Sequence, residues 1–442
     1  MIEKVANIGK IPELKKRILF TMGMIAVFRL GAHVPSLGVD PAKLFDFFAS
    51  KGAMSGVLGF LDLFSGGALK NFSVFALGIT PYINSSIIMQ LLVYVVPFLE
   101  KLSKEGEDGR KKISQYTRWG TVLIGGIQAF GISFMMKNFG ILTEQMDANF
   151  AFFTIITVIT LTAGTSFIMW LGEQITERGI GNGVSLLITI SIVSRLPEGA
   201  IQTYRKFSDQ PTFIPILILI GIFVFALIAA VVFMYEGSRK IPVQYAKRVV
   251  GRRVYGGQST HIPLRVNQAG VIPIIFAASV MVFPRMIISG VQQLVLNNVT
   301  MTKFLQNLSG LFSPSAITYN VVYTLLIVGF AYFYTAIVFN PRDMADNMKK
   351  YGGFIPGIRA GRPTAEFIDR TMVRITFAGA IFLALIDLVP RLVIVATDVP
   401  FYMGGTSILI LVGVVLDTVK QAESHLLVRH YEGFLKKRGG KA

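Results

Sequence analysis

The sequence has no cysteine and only four histidines in 442 residues. It can therefore form no disulfide, thiolate metal site or cysteine nucleophile. The histidines are scattered or terminal and show no metal-ligand spacing: His33, His261, His425 and His430. Charge is also scarce, because charged residues make up 15% of the chain against 52% hydrophobic residues, with a mean hydropathy of +0.59. This much apolar surface excludes a water-soluble fold and predicts a membrane protein.

The familiar signatures of catalysis are missing as well. The chain contains no Walker glycine-lysine loop, no His-Glu-x-x-His sequence and no paired aspartates in adjoining apolar segments. The glycine-rich residues 179–183 are predicted to form a turn, since no strand precedes them and no lysine follows them. We therefore expect neither catalysis nor a cofactor.

Ten apolar segments are candidates to cross a bilayer as helices, which takes roughly 20 residues each. An all-α polytopic membrane protein with ten transmembrane helices is therefore predicted. The first segment is expected to be an uncleaved span, because it contains Arg29 and lacks a small-residue cleavage site. The predicted spans are residues 18–34, 71–96, 117–136, 150–171, 184–196, 213–235, 270–291, 316–339, 375–396 and 405–419.

The uneven distribution of positive charge predicts the orientation of these spans. The net charge is +18, and 31 Lys and Arg residues fall on the side of the termini against 10 on the opposite side. Since cytoplasmic loops carry the excess of Lys and Arg, both termini are predicted to be cytoplasmic. The expected parts are a cytoplasmic segment 1–17, an N-terminal half 18–196, a C-terminal half 213–419 and a basic cytoplasmic tail 420–442.

Two predicted cytoplasmic loops, residues 236–268 and 340–374, are longer than a connection requires. Alternating apolar and polar residues in the first predict a hairpin with a basic tip at Arg252 and Arg253. The second loop is rich in glycine and proline turns and contains Arg359. Orientation and attraction to anionic membrane lipid explain some of the seven basic residues in each loop. They do not explain folded, protruding loops.

The two halves resemble each other at corresponding positions. The fifth and tenth spans are short and each follows a glycine-rich turn. The second and seventh spans share a Gly-x-x-Pro-x-Ile pattern that starts at Gly78 and at Gly270. With five spans in each half, this agreement favours two inverted, pseudo-symmetric halves. Coincidence is the alternative, since glycine, proline and isoleucine are all common in membrane helices.

Some segments remain open to two interpretations. Residues 57–69 are apolar but too short to cross, and they either rest at the outer interface as an amphipathic turn or fold back between the halves. Polar residues of the second span either bond a neighbouring helix or line a lateral gate. These residues are Asn84, Ser85, Ser86 and Gln90.

Charged residues within other spans are open to similar questions. Arg29 is expected to extend its side chain towards the outer interface. Asp387 and Asp417 are expected to pair helices or to have a functional role.

One long motif and six short ones occur in a characteristic order. The long motif is Gly-Glu-Gln-Ile-Thr-Glu-Arg-Gly-Ile-Gly-Asn-Gly at residues 172–183. The short ones are Ser-Gly-Gly-Ala-Leu at 65–69, Phe-Ala-Leu-Gly-Ile at 75–79, Gln-Ser-Thr-His-Ile-Pro-Leu at 258–264, Phe-Asn-Pro-Arg at 339–342, Pro-Gly-Ile-Arg at 356–359 and Gly-Gly-Thr-Ser at 404–407. From Leu14 to Asp417 the chain resembles the SecY family, the channel-forming subunits of the bacterial Sec protein translocase.

The resemblance implies a channel that conducts unfolded polypeptides across the bacterial cytoplasmic membrane and releases apolar segments laterally into lipid. It also implies an aliphatic pore ring and identifies the short apolar segment with the family's plug, which replaces the interfacial interpretation. The ring positions are Ile79, Ile83, Val184, Ile188, Ile275 and Ile410. The plug positions are Val57, Leu58, Phe60, Leu61, Asp62, Leu63, Phe64, Ser65, Gly66 and Gly67. Val184 is smaller than the isoleucine that the family favours, so this ring is expected to be slightly looser.

The same resemblance implies partners. These are the small SecE and SecG membrane subunits, the SecA motor ATPase, a translating ribosome, and secretory and membrane protein substrates. Arg252, Arg253 and Arg359 are the expected docking residues for the motor or ribosome. A secondary transporter is the competing function, because inverted repeats and broken helices typify transporters. It should carry a cluster of ionisable residues at the midplane, where this chain is aliphatic.

Overall fold

The computed structural model describes residues 12–49, 62, 64–208, 213–245, 248–250, 253–255, 259–294, 299–313, 316–397 and 404–439. Most of them are helical, because long apolar segments must bond their own backbone amides and carbonyls when no water is present. The helices of the N-terminal half are α1 (Pro12–Gly31), α2 (Pro41–Ala49), α3 (Thr80–Val95), α4 (Pro97–Lys104), α5 (Glu107–Asn138), α6 (Glu144–Ala148), α7 (Phe150–Arg178), α8 (Gly183–Val193) and α9 (Leu196–Phe207).

The C-terminal half alternates long helices with a strand-bearing region. Its helices are α10 (Phe213–Glu236), α11 (Ile272–Leu294), α12 (Val299–Leu311), α13 (Ile317–Val338), α14 (Pro341–Lys350), α15 (Arg362–Thr397) and α16 (Gly405–Gly439). Its strands are β1 (Ser238–Tyr245), β2 (Arg248–Val250), β3 (Arg253–Tyr255), β4 (Ser259–Arg265) and β5 (Gly353–Phe354).

Each predicted span coincides with a helix, but length and hydropathy qualify fewer of them as membrane spans. Within the described residues, seven helices are long and apolar enough to cross by themselves. An eighth results if the bent pair α3 and α4 counts as one span. The structure therefore supports a protein with several membrane-spanning helices, but it does not confirm that there are ten.

The second span starts later than predicted. Residues 66–79 form turns, and the helix begins only at Thr80. Gly78 has a φ of +58°, a left-handed conformation that helices do not contain, so the helix cannot extend further back. At the other end, Val96 is extended because Pro97 follows it, and α4 leaves at 98° to α3.

The last helix continues past the predicted end of its span at residue 419. It runs from Gly405 to Gly439 and so includes most of the predicted tail. No proline interrupts this stretch, which is rich in the helix formers Leu, Lys, Glu and Ala.

The two long loops are the exception to the mostly helical fold, since together they form a three-stranded sheet, and β2 and β3 of the first loop form a separate two-stranded one. The predicted hairpin of the first loop is confirmed, since β1 pairs antiparallel with β4 from Ser238 opposite Arg265 to Gln244 opposite Ser259. The second loop adds β5 to the other edge of β1, giving the order β4-β1-β5. The two loops also share one apolar core, formed by Ile241, Val243, Leu264, Met348, Ile355, Ile368 and Met372. They are one structural unit rather than two independent protrusions.

Candidate pore site

The six predicted ring positions lie together in the largest buried apolar cluster of the described residues. Five of them are buried in that cluster, and Val184 is half-buried and packs against it. They come from the start of α3 and from α8, α11 and α16, so both halves contribute. The ring hypothesis requires that these residues lie close together in the fold. Their positions in the sequence alone could not show this.

Two glycines set the starts of α3 and α11, close to three of the ring positions. Ile79 directly precedes α3, Ile83 lies in α3 and Ile275 lies in α11. Gly78 and Gly270 have φ values of +58° and +65°, and each lies two residues before the first residue of its helix. A side chain at either position would strain the backbone. The shared Gly-x-x-Pro-x-Ile pattern therefore corresponds to a shared turn in both halves.

The glycine-rich turn at residues 179–183 holds α8 in place. The Thr21 hydroxyl of α1 accepts the Ile180 N–H at 3.0 Å, and the Gln421 side chain of α16 accepts the Gly181 N–H at 2.6 Å. At Gly183, a Cβ atom would lie 1.9 Å from the carbonyl oxygen of Gly172, so α8 starts directly against α7. The turn thus joins both halves beside Val184.

The plug prediction falls only partly on described residues. Val57, Leu58, Phe60, Leu61 and Leu63 lie outside them. Asp62, Phe64 and Ser65 are buried, and Phe64 belongs to the same cluster as the ring. The described end of the segment therefore packs with the ring rather than resting on a surface.

Arg29 has a hydrogen-bond partner within the protein. Its Nη1 donates a hydrogen bond to the carbonyl oxygen of Gly66 at 3.0 Å, and the side chain is half-buried. The Ser194 hydroxyl also donates to Gly66 O, at 3.3 Å. A carbonyl in a non-helical turn attracts both donors because the turn leaves it without a helical partner.

Sequence reasoning missed Arg195, which lies just after α8 and forms an ion pair with Asp62 at 3.0 Å. A signal was present in the sequence, since each residue is a single charge within an apolar stretch. The two charges are 133 positions apart in the chain, so only the fold could pair them.

The four polar residues predicted as a lateral gate separate into different environments. The Ser85 hydroxyl donates to Thr117 O of α5 at 2.7 Å, as expected for a bond between neighbouring helices. Gln90 donates to the Ser86 hydroxyl at 3.1 Å within α3. Asn84 is buried on the helix that packs against α11 of the other half.

The seam between the halves has an aromatic contact near the end of α3. The rings of Tyr94 and Phe333 meet edge to face, with centroids 5.8 Å apart, and so join α3 to α13.

A cavity of about 250 Å³, lined by both apolar and polar residues, opens between the two halves and reaches Ser185, the residue that follows Val184. Its polar lining includes Asn182, Ser185, Asn267, Gln268 and Asp417. The other aspartate of interest, Asp387, pairs with Arg391 at 2.9 Å and accepts a hydrogen bond from Thr406. Asp387 thus joins α15 to the start of α16, while Asp417 faces the cavity.

Two of the three predicted docking residues lie within the described part of the chain. Arg359 is exposed on the turn that follows β5. Arg253 starts β3, and Arg252 lies outside the described residues.

Comparisons with known proteins agree with one another. The sequence model of the SecY family matches residues 73–419. The chain is 46% identical over 447 residues to protein translocase subunit SecY of Streptomyces scabiei, covering 99% of this chain and the whole of that relative. It is 45% identical over 430 residues to the same subunit of Escherichia coli K12, covering 97% of this chain and 95% of that relative.

Solved structures share the fold at low sequence identity. A structure described as that of a protein-conducting channel has a TM-score of 0.63 at 17% identity, covering 95% of this chain and 96% of the other. Sec61 in the canine ribosome–channel complex from the endoplasmic reticulum has a TM-score of 0.58 at 16% identity, with the same coverage.

Proposed function

The chain belongs to the SecY family, and from this premise we propose how its own residues form the channel. It is the pore-forming subunit of the protein translocase, a multi-pass membrane protein that conducts polypeptides and is not an enzyme. The observation that carries the proposal is the convergence of the six ring positions from both halves in one buried cluster. We assign this cluster as the closed constriction of the pore.

An aliphatic constriction suits a channel whose cargo varies. Its side chains offer no hydrogen bonds, so a narrow ring of them expels water and blocks ions. Because it makes no specific bonds, it can also yield around a passing chain without retaining it. The cavity of about 250 Å³ between the halves is then the entrance through which an unfolded chain approaches.

Residues 57–69 act as the plug that closes the ring. Support comes from Phe64 and Ala68, which are buried in the cluster of the ring. One solved relative is described by the statement that the plug domain of SecY stabilises the closed state and maintains a membrane seal, and we extend this role to the present chain.

The chain crosses the bacterial cytoplasmic membrane ten times, in two inverted halves, with both termini in the cytoplasm. The ten helices at the predicted spans and the matching turns at Gly78 and Gly270 support the halves. The concentration of Lys and Arg on the side of the termini supports the orientation.

The lateral gate is the seam between α3 and the helices α11 and α13. Asn84 and the Tyr94–Phe333 contact lie along it. Ser86 and Gln90 bond each other within one helix, so they can separate from the opposite half without losing that bond. Ser85 belongs to the support of α3 by α5 instead.

The sheet formed by the two cytoplasmic loops is the docking platform. Arg359 is exposed on the turn that follows β5, and Arg253 starts β3, which pairs with β2 in a separate two-stranded sheet. We assign Arg252, which precedes Arg253 in the sequence, to the same docking surface. We assign the SecA motor and the translating ribosome to this platform, anionic lipid to the surrounding basic residues, and SecE and SecG to the membrane-embedded surface.

Cysteine cross-linking to a stalled substrate tests the ring. Because the chain has no cysteine, an introduced one is the only thiol in it. A secretory chain that is stalled in transit and carries one cysteine should form disulfides with Ile83→Cys, Val184→Cys, Ile275→Cys and Ile410→Cys. A disulfide requires Cα atoms within about 7 Å, so only residues that touch the passing chain qualify.

Ile218→Cys is the matched control, since Ile218 is 58% exposed on the outer surface of α10. It should remain unlinked. Equal cross-linking at Ile218 would contradict the central pore. Saturable uptake of a small solute by the purified chain, with no ring cross-links, would favour a transporter.

A further inference from the structure

A buried ion pair joins the plug segment to the end of α8. Asp62 Oδ2 lies 3.0 Å from Arg195 Nη2, with the side chains 0% and 7% exposed. The two groups are in charge contact, although their angle does not make a hydrogen bond. The second carboxylate oxygen of Asp62 accepts the Lys70 N–H at 3.0 Å, so Asp62 also fixes the turn that follows the plug.

The other polar contacts that hold this segment are not buried ion pairs. Gly66 O accepts one hydrogen bond from Arg29 and one from Ser194, and these involve a neutral carbonyl. Lys70 pairs with Glu198 at 2.6 Å, but the two side chains are 30% and 42% exposed, so water screens this pair. The Asp62–Arg195 pair, by contrast, is buried, so water screens the attraction between its two charges much less.

The hydrogen-bond and ion-pair partners described above for residues 62–70 belong to the N-terminal half. Arg29 lies on α1, Ser194 and Arg195 follow α8, and Glu198 lies on α9. The segment is therefore held by the half that also carries Val184 and Ile188, on the helix that leads directly to Arg195. Release of the segment requires the buried charges to separate.

We propose that the Asp62–Arg195 ion pair is a latch that holds the plug in the resting channel and sets how often the pore leaks. This rests on the proposed function of residues 57–69 as the plug. Arg195 is a positioning residue, which acts through the segment and does not touch the passing chain. Opening separates the two charges, and each must then find water or another partner.

The test measures ion conductance of the full chain, purified with its bound subunits and reconstituted in planar bilayers without substrate. Asp62→Asn and Arg195→Gln should each raise the resting conductance roughly tenfold or more, because each removes the charge attraction between the segment and the end of α8. The double variant Asp62→Asn/Arg195→Gln should leak no more than the leakier single variant, since all three variants lack the same contact. Leaks that add up in the double variant would show that the two residues act independently and would contradict the latch.

Two controls separate the latch from general destabilisation. Glu198→Gln removes the exposed pair at the same segment, and Asp387→Asn removes a partner from another buried pair, on α15. Both should keep the conductance of the unmodified channel. A leak from Asp387→Asn as large as that from Asp62→Asn would overturn the latch, because any lost buried pair would then suffice.

The latch and the proposed function can fail separately. If the single variants show no increase in ion conductance but still form the ring cross-links with a stalled chain, the latch is refuted and the pore assignment stands. Absence of ring cross-links in the channel with intact Asp62 and Arg195 would refute the pore assignment itself, and the latch with it.

Discussion

At the scale of single residues, glycine decides how closely the turn before α3 approaches α7. A Cβ atom at Gly164 would lie 2.0 Å from the carbonyl oxygen of Val74. That oxygen belongs to the backbone of residues 66–79, which place the plug and Ile79. A methyl group at this position could be accommodated only if the whole turn moved.

Gly164→Ala should therefore lower the stability of the protein by about 1–3 kcal/mol through overpacking. The measurement is thermal unfolding of the purified protein in mild detergent. Gly131→Ala is the matched control, because this glycine lies within helix α5 and nothing lies within 4 Å of its Cβ position. Equal losses of stability in the two variants would show that the close contact with Val74 does not matter.

At the scale of elements, the two cytoplasmic loops depend on each other. Strand β1 lies between β4 of its own loop and β5 of the other. Val243 on β1 is 1% exposed in the core that both loops share, whereas its neighbour Gln244 points to solvent. Damage to the first loop should therefore loosen the second.

Val243→Ser should expose the second loop to trypsin, because the shared core loses about 1.5–3 kcal/mol of apolar burial. We expect cleavage after Arg359 or Arg362 to become several times faster. The measurement is limited proteolysis of membranes with their cytoplasmic face accessible. Gln244→Ser, on the opposite face of the same strand, should leave the rate unchanged, and faster cleavage there would argue against a shared core.

The proposed docking platform leads to a prediction about charge. Arg359→Glu should weaken binding of the SecA motor by roughly tenfold, about 1.4 kcal/mol, because an attractive charge becomes a repulsive one. Binding of the unmodified protein should also weaken with added salt, since the Debye length is about 8 Å at physiological ionic strength. The measurement is motor affinity for reconstituted channels. Lys303→Glu, an exposed residue of α12, is the control. Unchanged motor binding and translocation in Arg359→Glu would refute the assignment.

At the scale of the whole molecule, the pore depends on both halves at once. The proposed ring draws Ile83 from one half and Ile275 from the other, and the two lie in the same buried cluster. If this cluster is the constriction, the seal against ions requires both halves.

Ile83→Asn combined with Ile275→Asn should raise ion leak, because amides hold water in a constriction that aliphatic side chains keep dry. The measurement is resting conductance in planar bilayers, where we expect an increase of roughly tenfold. Ile83→Leu combined with Ile275→Leu preserves the apolar surface and should stay tight. If the asparagine variant shows no increase in resting conductance, the plug alone provides the seal.

The sequence by itself determined the membrane class, the positions of the helices and the hairpin, because these follow from local hydropathy and alternation along the chain. The tertiary structure alone decided which residues meet. It joined the two loops in one sheet, brought Arg29 to Gly66, and paired Asp62 with Arg195. It also began the second span at Thr80, because residues 66–79 form turns although many of them are apolar. Such contacts join residues far apart in the chain, and local periodicity carries no information about the partner of a buried charge.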